Sequence, residues 1–368
     1  MKFFDKRVLT HFNYELIVLI LPLIYFSHTL VGEISDMLAK KQLIYFSIAA
    51  ISFIFVLFLP IRRFIRFIMP LYWLGIILLL AVLLVGTTKL GATRWLEIPL
   101  IHLTIQPSEL FKPIFILALA YLVSQKPPSK QGYSLKEFTY FSFYIVLPFV
   151  LIAKEPDLGT ALVLLLMGYG ILFIVGIHWK VIAGILLIVG ISSPLVYSYL
   201  IKDYQKKRIH DFLAEKPSYH VQQSIIAIGS GGLMGKDKEE ATQAQLKFLP
   251  IATSDFIFAY LVERYGFIGA IGVVVLYLLI IIYLLMLNFY YRDDFLISVF
   301  ASGIGLLIFL DMSVNILMVI GFAPVVGLPL PMFSYGGSSF INFIVIFAIL
   351  ENLLAFRFLS GYELKKKF

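Results

Sequence analysis

Asp255 is a candidate for acid–base work. It lies in residues 242–263, TQAQLKFLPIATSDFIFAYLVE, where the only long polar segment gives way to an apolar run. Pro250 interrupts whatever precedes it, and Thr253 and Ser254 carry hydroxyls of the kind that cap a new helix. The expectation is Asp255 in the first turn of that helix, where the partial positive charge of the N-terminus keeps a carboxylate ionised and available as a base. A plainer use competes with this one. An acid in a first helical turn also complements the helix dipole with no chemistry at all.

Other charged groups cluster in short polar stretches. In KLGATRWLEIPLIHLTIQPSELFKP, Pro107 and Ser108 open a helix, with Glu109 and Lys112 spaced to face each other as an i, i+3 pair. Lys112 either snorkels to the membrane edge or meets headgroup phosphates, while Arg94 and Trp95 read as an interfacial anchor. The turn KEPDLG carries Glu155 and Asp157 between two apolar runs. Arg208, in DYQKKR, has the planar fork that grips phosphate, though a basic cluster there could serve only to orient a helix. In YHVQQSIIAIGSGGLMG, Val221, Ile225 and Ile228 share helical spacing and predict a short interfacial helix. Gly229, Gly231, Gly232 and Gly235 then supply either a bend or backbone N–H groups for an anion. Glu15, Asp311, Asn315, Asn342, Glu351 and Asn352 are polar groups within apolar runs, where pairing between helices competes with function.

The elements that must position these groups are membrane helices. Of 368 residues, 60% are hydrophobic and 14% charged, and mean hydropathy is +0.94. Soluble domains carry about a quarter charged residues, so the fold class is an all-α polytopic membrane protein. About 20 apolar residues span a bilayer, and that ruler gives ten spans in a single domain, 1–368. They run near 13–32, 42–60, 67–87, 108–125, 137–153, 159–177, 181–200, 264–289, 295–320 and 338–358, with one long loop, 201–263, between the seventh and eighth. Lys and Arg crowd the short loops on the side of the termini, which predicts cytoplasmic termini and an extracytoplasmic long loop. Asp255 and the acids at 109, 155 and 157 then gather at the outer mouth. With no cysteine and no HxxxH or HxxH pair, disulfides, thiolate chemistry and a dedicated zinc site are excluded or disfavoured. The net charge of +8 is accounted for by membrane topology and does not call for nucleic acid.

These segments, in this order, resemble the SEDS family of bacterial membrane proteins (shape, elongation, division and sporulation). The matching pieces are RWLEI with IQPSELFKP, EPDLGTALV, YQKKRI, HVQQSIIAIGSGGLMGK, TQAQLKFLP with SDFIFAYLVERYGFIG, and GLPLPMFSYGGSS, covering roughly 89–352. The short N-terminal tail and compact outer loop look more like the RodA branch, which serves elongation, than the FtsW branch, which serves division. The resemblance implies a peptidoglycan glycosyltransferase that polymerises lipid II at the outer face of the bacterial cytoplasmic (inner) membrane. It places the essential acid on Asp255 and substrate-binding roles on Glu109, Lys112, Glu155, Asp157, Arg208 and Ser254. It also implies a cognate class B penicillin-binding protein, a transpeptidase, as partner. The chain departs from the family's common Glu-x-His-Thr-Asp run, having Ile251, Ala252, Thr253, Ser254 and Asp255 there.

The chemistry expected is removal of the acceptor hydroxyl's proton by Asp255, with inversion at the donor's anomeric carbon. Lys112 and Arg208 would neutralise the leaving pyrophosphate, with a divalent cation (Mg or Mn) as an optional helper. The competing readings are a lipid II flippase and a scaffold without activity. A transport path would need polar groups through the bundle, and here those groups gather at one end.

Overall fold

The protein is described by a computed structural model covering residues 12–89, 92–98, 103–185, 187, 206, 212, 218–241, 243, 249 and 252–357. Nine helices among these residues are long and apolar enough to cross a membrane. In chain order the helices are α1 (Tyr14–Ile34), α2 (Asp36–Phe58), α3 (Ile68–Val85), α4 (Pro107–Gln125), α5 (Leu135–Lys154), α6 (Leu158–Val175), α7 (Tyr219–Gly231), α8 (Ile257–Tyr290), α9 (Phe295–Val319) and α10 (Gly337–Ala355). All but α7 are of spanning length. The expected seventh span, 181–200, is helical over residues 179–185, and most of it lies outside the described residues.

Local chemistry starts these helices where the chain turns. Asn13 accepts from the Glu15 N–H at the head of α1. Ser134 and Glu137 exchange a reciprocal capping box at the head of α5. Ser35 alone separates α1 from α2 and caps α2 through the Leu38 N–H. That places Lys40 and Lys41 inside α2, not in a loop before it, because two polar residues do not stop a helix that an apolar count would begin at 42.

The bundle is built around α4 and α9. In each, 78% of the spanning stretch is buried inside the protein, against 17% for α2 at the periphery. Gly303 of α9 faces the Ile116 side chain of α4 so closely that a Cβ would collide, so a small residue sets the approach. Between α3 and α4 the chain forms a small antiparallel sheet in the order β1-β2-β3 (Thr87–Lys89, Ala92–Ile98, Leu103–Ile105). The span count treats this stretch as a loop, although ATRWLEI does alternate in character.

Helix α8 has 34 residues, about 51 Å at 1.5 Å per residue, which is too long for a hydrocarbon core of about 30 Å. The break comes at Gly266, whose φ of 63° and ψ of −164° are not helical. Every residue from Ile257 to Glu263 is buried, whereas the part after Gly266 alternates between buried and exposed. The predicted span 264–289 is therefore the second half alone. Its first half is the helix expected to start near Asp255, which a bilayer-length ruler leaves in the long loop because polar residues precede it and a full span follows.

The glycine-rich end of α7 plugs the break. Phe267 N–H donates to the Gly232 carbonyl at 2.9 Å, and Ile268 N–H to the Leu233 carbonyl at 3.3 Å. Those carbonyls satisfy donors that a broken helix would leave bare. The glycines thus provide close backbone packing, and the Gly235 N–H that could have met an anion donates to the Gly231 carbonyl at 2.8 Å. The buried line of α7 is Val221, Ser224, Ala227 and Gly231, with Ile225 and Ile226 exposed. The expected line through Ile225 is shifted because small residues let α7 approach the backbone of α8, leaving branched ones outward.

Gly266→Ala is expected to lose about 1–3 kcal/mol, since the positive φ disfavours a side chain and the new Cβ would meet the Leu233 carbonyl and the Gly235 N–H. Gly229→Ala, with nothing within 4 Å of its Cβ, should leave stability unchanged or slightly raised. Thermal melting of both purified variants checks this, and equal melting temperatures would discount the plugged break.

Candidate functional site

Asp255 does not lie in the first turn of α8. The helix starts at Ile257 with Phe256 as N-cap and no side-chain cap, so Thr253, Ser254 and Asp255 form the turn that precedes it. The hydroxyl of Ser254 goes instead to the catalytic candidate itself, donating to Asp255 Oδ1 at 3.1 Å.

What fixes this turn is a set of donors to three successive carbonyls. The Tyr335 N–H donates to Thr253 O at 2.8 Å. Ser334 Oγ donates to Ser254 O at 2.6 Å. Asn315 Nδ2, from α9, donates to Asp255 O at 2.9 Å and also to Leu328 O at 2.7 Å. Gly327, at φ 74°, brings bare backbone against the carboxylate, with Asp255 Oδ2 3.6 Å from where its Cβ would stand. Asp255 is half-buried, and burial pushes its carboxyl above the usual carboxylate range while the Ser254 hydroxyl pulls it back.

One turn below Asn315 on α9 sits Asp311, and with it an ion triad. Lys112 Nζ is 2.7 Å from Glu109 Oε1 and 3.6 Å from Asp311 Oδ2. All three residues are buried. The expected i, i+3 pair is formed, but it faces inward and Lys112 does not snorkel. Helix α4 exposes this edge inward because it packs on α9 along its length.

The second cluster is at the KEPDLG turn. Asp157 caps α6 by accepting the Thr160 N–H at 3.3 Å, and Arg94 of β2 approaches its Oδ1 at 3.6 Å. Arg94 also donates to the Pro156 carbonyl, so it is a site residue and not a membrane anchor. Gln106 joins the two clusters, donating to Asp157 Oδ2 and to Ser108 Oγ, each at 3.2 Å. Glu155 is buried and neither carboxyl oxygen has a hydrogen-bond partner. Burial pushes its carboxyl up to about 8, the Asp157 charge adds to the rise, and Arg94 opposes it. Gly159 packs against Val326 and Leu328, which sets this turn against the same strand of chain that carries Gly327.

The structure thus gathers Glu109, Lys112, Glu155, Asp157, Ser254 and Asp255 at the end of the bundle opposite residues 13 and 357. Arg208 lies outside the described residues. Asn315, Asp311 and Arg94 belong to the site and were read from sequence only as intramembrane polar residues or an anchor. Glu33 and Arg264 were not singled out at all. Arg264 grips both oxygens of Glu33 at 2.6 and 2.9 Å, and Tyr260 OH donates to Glu33 Oε2 at 2.8 Å. An acid in the last turn of one helix and an arginine just before a glycine break were the available signals. Among the described residues no three His, Asp or Glu side chains converge as metal ligands do.

A buried carboxyl that keeps its proton penalises the folded state once the unfolded chain can release one. For Glu155 that window runs from its ordinary value of 4.5 to about 8, and native stability falls as pH rises across it. The parent should melt progressively lower than Glu155→Gln over this range, with the gap constant below it. Parallel melting profiles throughout would place Glu155 in water.

Comparison with known proteins agrees with this architecture. The profile of the FTSW_RODA_SPOVE family, described as cell cycle proteins, matches residues 4–358. The peptidoglycan glycosyltransferase MrdB of Helicobacter pylori strain J99 is 52% identical over 364 residues, covering 99% of this chain and 95% of that one. MrdB of Escherichia coli K12 is 34% identical over 361 residues, covering 95% of each. Among solved structures, a chain of a peptidoglycan synthase complex superposes with a TM-score of 0.80 at 28% identity, covering 94% of this chain and 98% of that one. The rod shape determining protein RodA of Thermus thermophilus gives 0.71 at 25% identity with the same coverage. This chain belongs to the FtsW/RodA/SpoVE family.

Proposed function

We propose that this chain is a peptidoglycan glycosyltransferase that polymerises lipid II, with Asp255 as the general base. The observation that carries the reading is the anchored turn: a half-buried carboxylate on backbone held at three successive carbonyls. The likeness to MrdB across nearly the whole chain supports the reaction class. Joining a sugar hydroxyl to an anomeric carbon asks for a base at the acceptor and positive charge at the departing pyrophosphate. Asp255 takes the proton of the acceptor hydroxyl, the oxygen attacks the anomeric carbon with inversion, and the diphosphate leaves.

Glu109, Lys112, Glu155, Asp157, Arg208 and Ser254 make up the proposed substrate-facing set. Lys112 brings a charge already matched by Glu109 and Asp311, so a pyrophosphate would have to compete with Glu109 for it. Arg94 adds a second cation with 15% of its side chain exposed. Mg²⁺ or Mn²⁺ bound here would draw on Glu155 and Asp157 together with phosphate oxygens, and would supply further charge neutralisation. The proposed setting is the bacterial inner membrane, with the site at its outer face and both termini cytoplasmic. The proposed role is elongation beside a class B penicillin-binding protein. The fit to a chain of a synthase complex and to a rod shape determining protein supports that setting.

A positioned base contributes about a hundredfold to ten-thousandfold. Asp255→Asn in purified protein should lose lipid II polymerisation by that factor while still folding. In the parent the rate should fall on acidification with a midpoint above 3.8, the carboxyl's ordinary value, because burial raises it. Near-parental polymerisation by Asp255→Asn would remove the base from the mechanism.

A further inference from the structure

Asn315 is buried in α9 and spends one amide nitrogen on two backbone carbonyls from different segments. One belongs to Asp255, the other to Leu328, the residue after Gly327. The carboxylate and the bare backbone facing it are therefore tied to a single side chain. Two more donors complete the hold, the Ser334 hydroxyl on Ser254 O and the Tyr335 N–H on Thr253 O. Ser334 is itself fixed, accepting the Leu330 N–H at 2.8 Å.

Of the three carbonyls of this turn, Ser254 O has a long helical partner, the Ile257 N–H at 3.5 Å, and Asp255 O relies on Asn315. An amide donor removed from a buried carbonyl leaves an acceptor unpaired, which the chain relieves by moving. A displacement of about 1 Å in a reacting group costs on the order of a hundredfold in rate. We infer that Asn315 is a positioning residue for the glycosyl transfer, holding Asp255 at its working distance from the acceptor by bridging the catalytic turn to the 326–335 loop. The inference rests on Asp255 being the base.

Two substitutions separate the donor from the space it fills. Asn315→Asp keeps the shape but replaces the donating nitrogen with an oxygen facing two carbonyls. Asn315→Leu keeps an apolar filling of similar size without either donor. Both, purified and shown to fold by elution and melting, should lower kcat for lipid II polymerisation about tenfold to a hundredfold, with KM for lipid II within twofold. Adding Ser334→Ala to Asn315→Leu should cost less than the product of the two single losses, since both act through one carboxylate.

A folded Asn315→Asp or Asn315→Leu with parental kcat would overturn the inference. So would a rise in KM with kcat kept, or losses that multiply in the double variant. Asp255→Asn, assayed beside them, reports separately on the base. If it alone retains turnover, the proton acceptor is misassigned. If it is inactive and the Asn315 variants are not, only the positioning role fails.

Discussion

Backbone N–H and C=O groups cannot be left unpaired in a low-dielectric bundle, and that constraint governs where this protein can place a reactive acid. A carboxylate on a regular helix would project from its side with its backbone fully satisfied. Asp255 instead sits on irregular chain, which leaves three carbonyls to be bonded. The protein meets that demand with α9 and the 326–335 loop. The second irregularity, at Gly266, is met in the same way by carbonyls of the glycine-rich loop after α7. Irregular backbone occurs where the rest of the chain has partners to offer it.

The charges follow a related rule. Removing one partner from a buried ion pair is strongly destabilising, although the pair as a whole adds little to stability. Lys112 between Glu109 and Asp311 is therefore a costly way to join α4 to α9, when apolar residues would pack as well. Glu155, buried with no hydrogen-bond partner, is costlier still. Both lie at the end of the bundle that carries Asp255; at the other end, among the described residues, Glu351 is buried and accepts the Asn13 N–H, and Arg62 pairs with Asp294. A concentration of charged groups near one carboxylate suits a site handling a diphosphate, which asks for positive charge, and Lys112 and Arg94 carry that charge here, each paired with acids. The same concentration argues against a path for a charged headgroup through the bundle.

Sequence made the spans legible because lipid imposes a length and a composition on each one. It was less informative wherever protein replaced lipid as the surroundings. Residues 257–263 are apolar and helical, yet they were assigned to the long loop because polar residues precede them and a full span follows. Helix α7 was found from its spacing, but its inward face was misread, since Ser224 and Ala227 look weakly apolar and are chosen for size. Glu109 and Lys112 declared their pairing through i, i+3 spacing, whereas Asp311 could not, because its partner lies some 200 positions away. Asn315 was visible only as a polar residue in an apolar run. Its meaning depends on two carbonyls, and no residue type records the direction of a carbonyl.

The two halves of α8 connect these observations. Ile257–Glu263 is enclosed by protein, and it is gripped at both ends. At the start, Asn315, Ser334 and Tyr335 hold the turn that bears Asp255. At the far end, Arg264 clamps Glu33 of α1 and donates to the Lys236 carbonyl, and the Lys236 N–H donates to Glu263 O. A helix fixed at one end could pivot at the Gly266 break and carry Asp255 with it. Fixed at both, it acts as a strut of about two turns between α1 and the turn that bears Asp255. The glycine break then separates the span that faces lipid from the segment enclosed by protein. A reacting group displaced by about 1 Å loses on the order of a hundredfold in rate, and a bilayer cannot supply that tolerance. The strut takes its register from α1 and α9 instead, so that the carboxylate is located by protein although the protein is held by lipid.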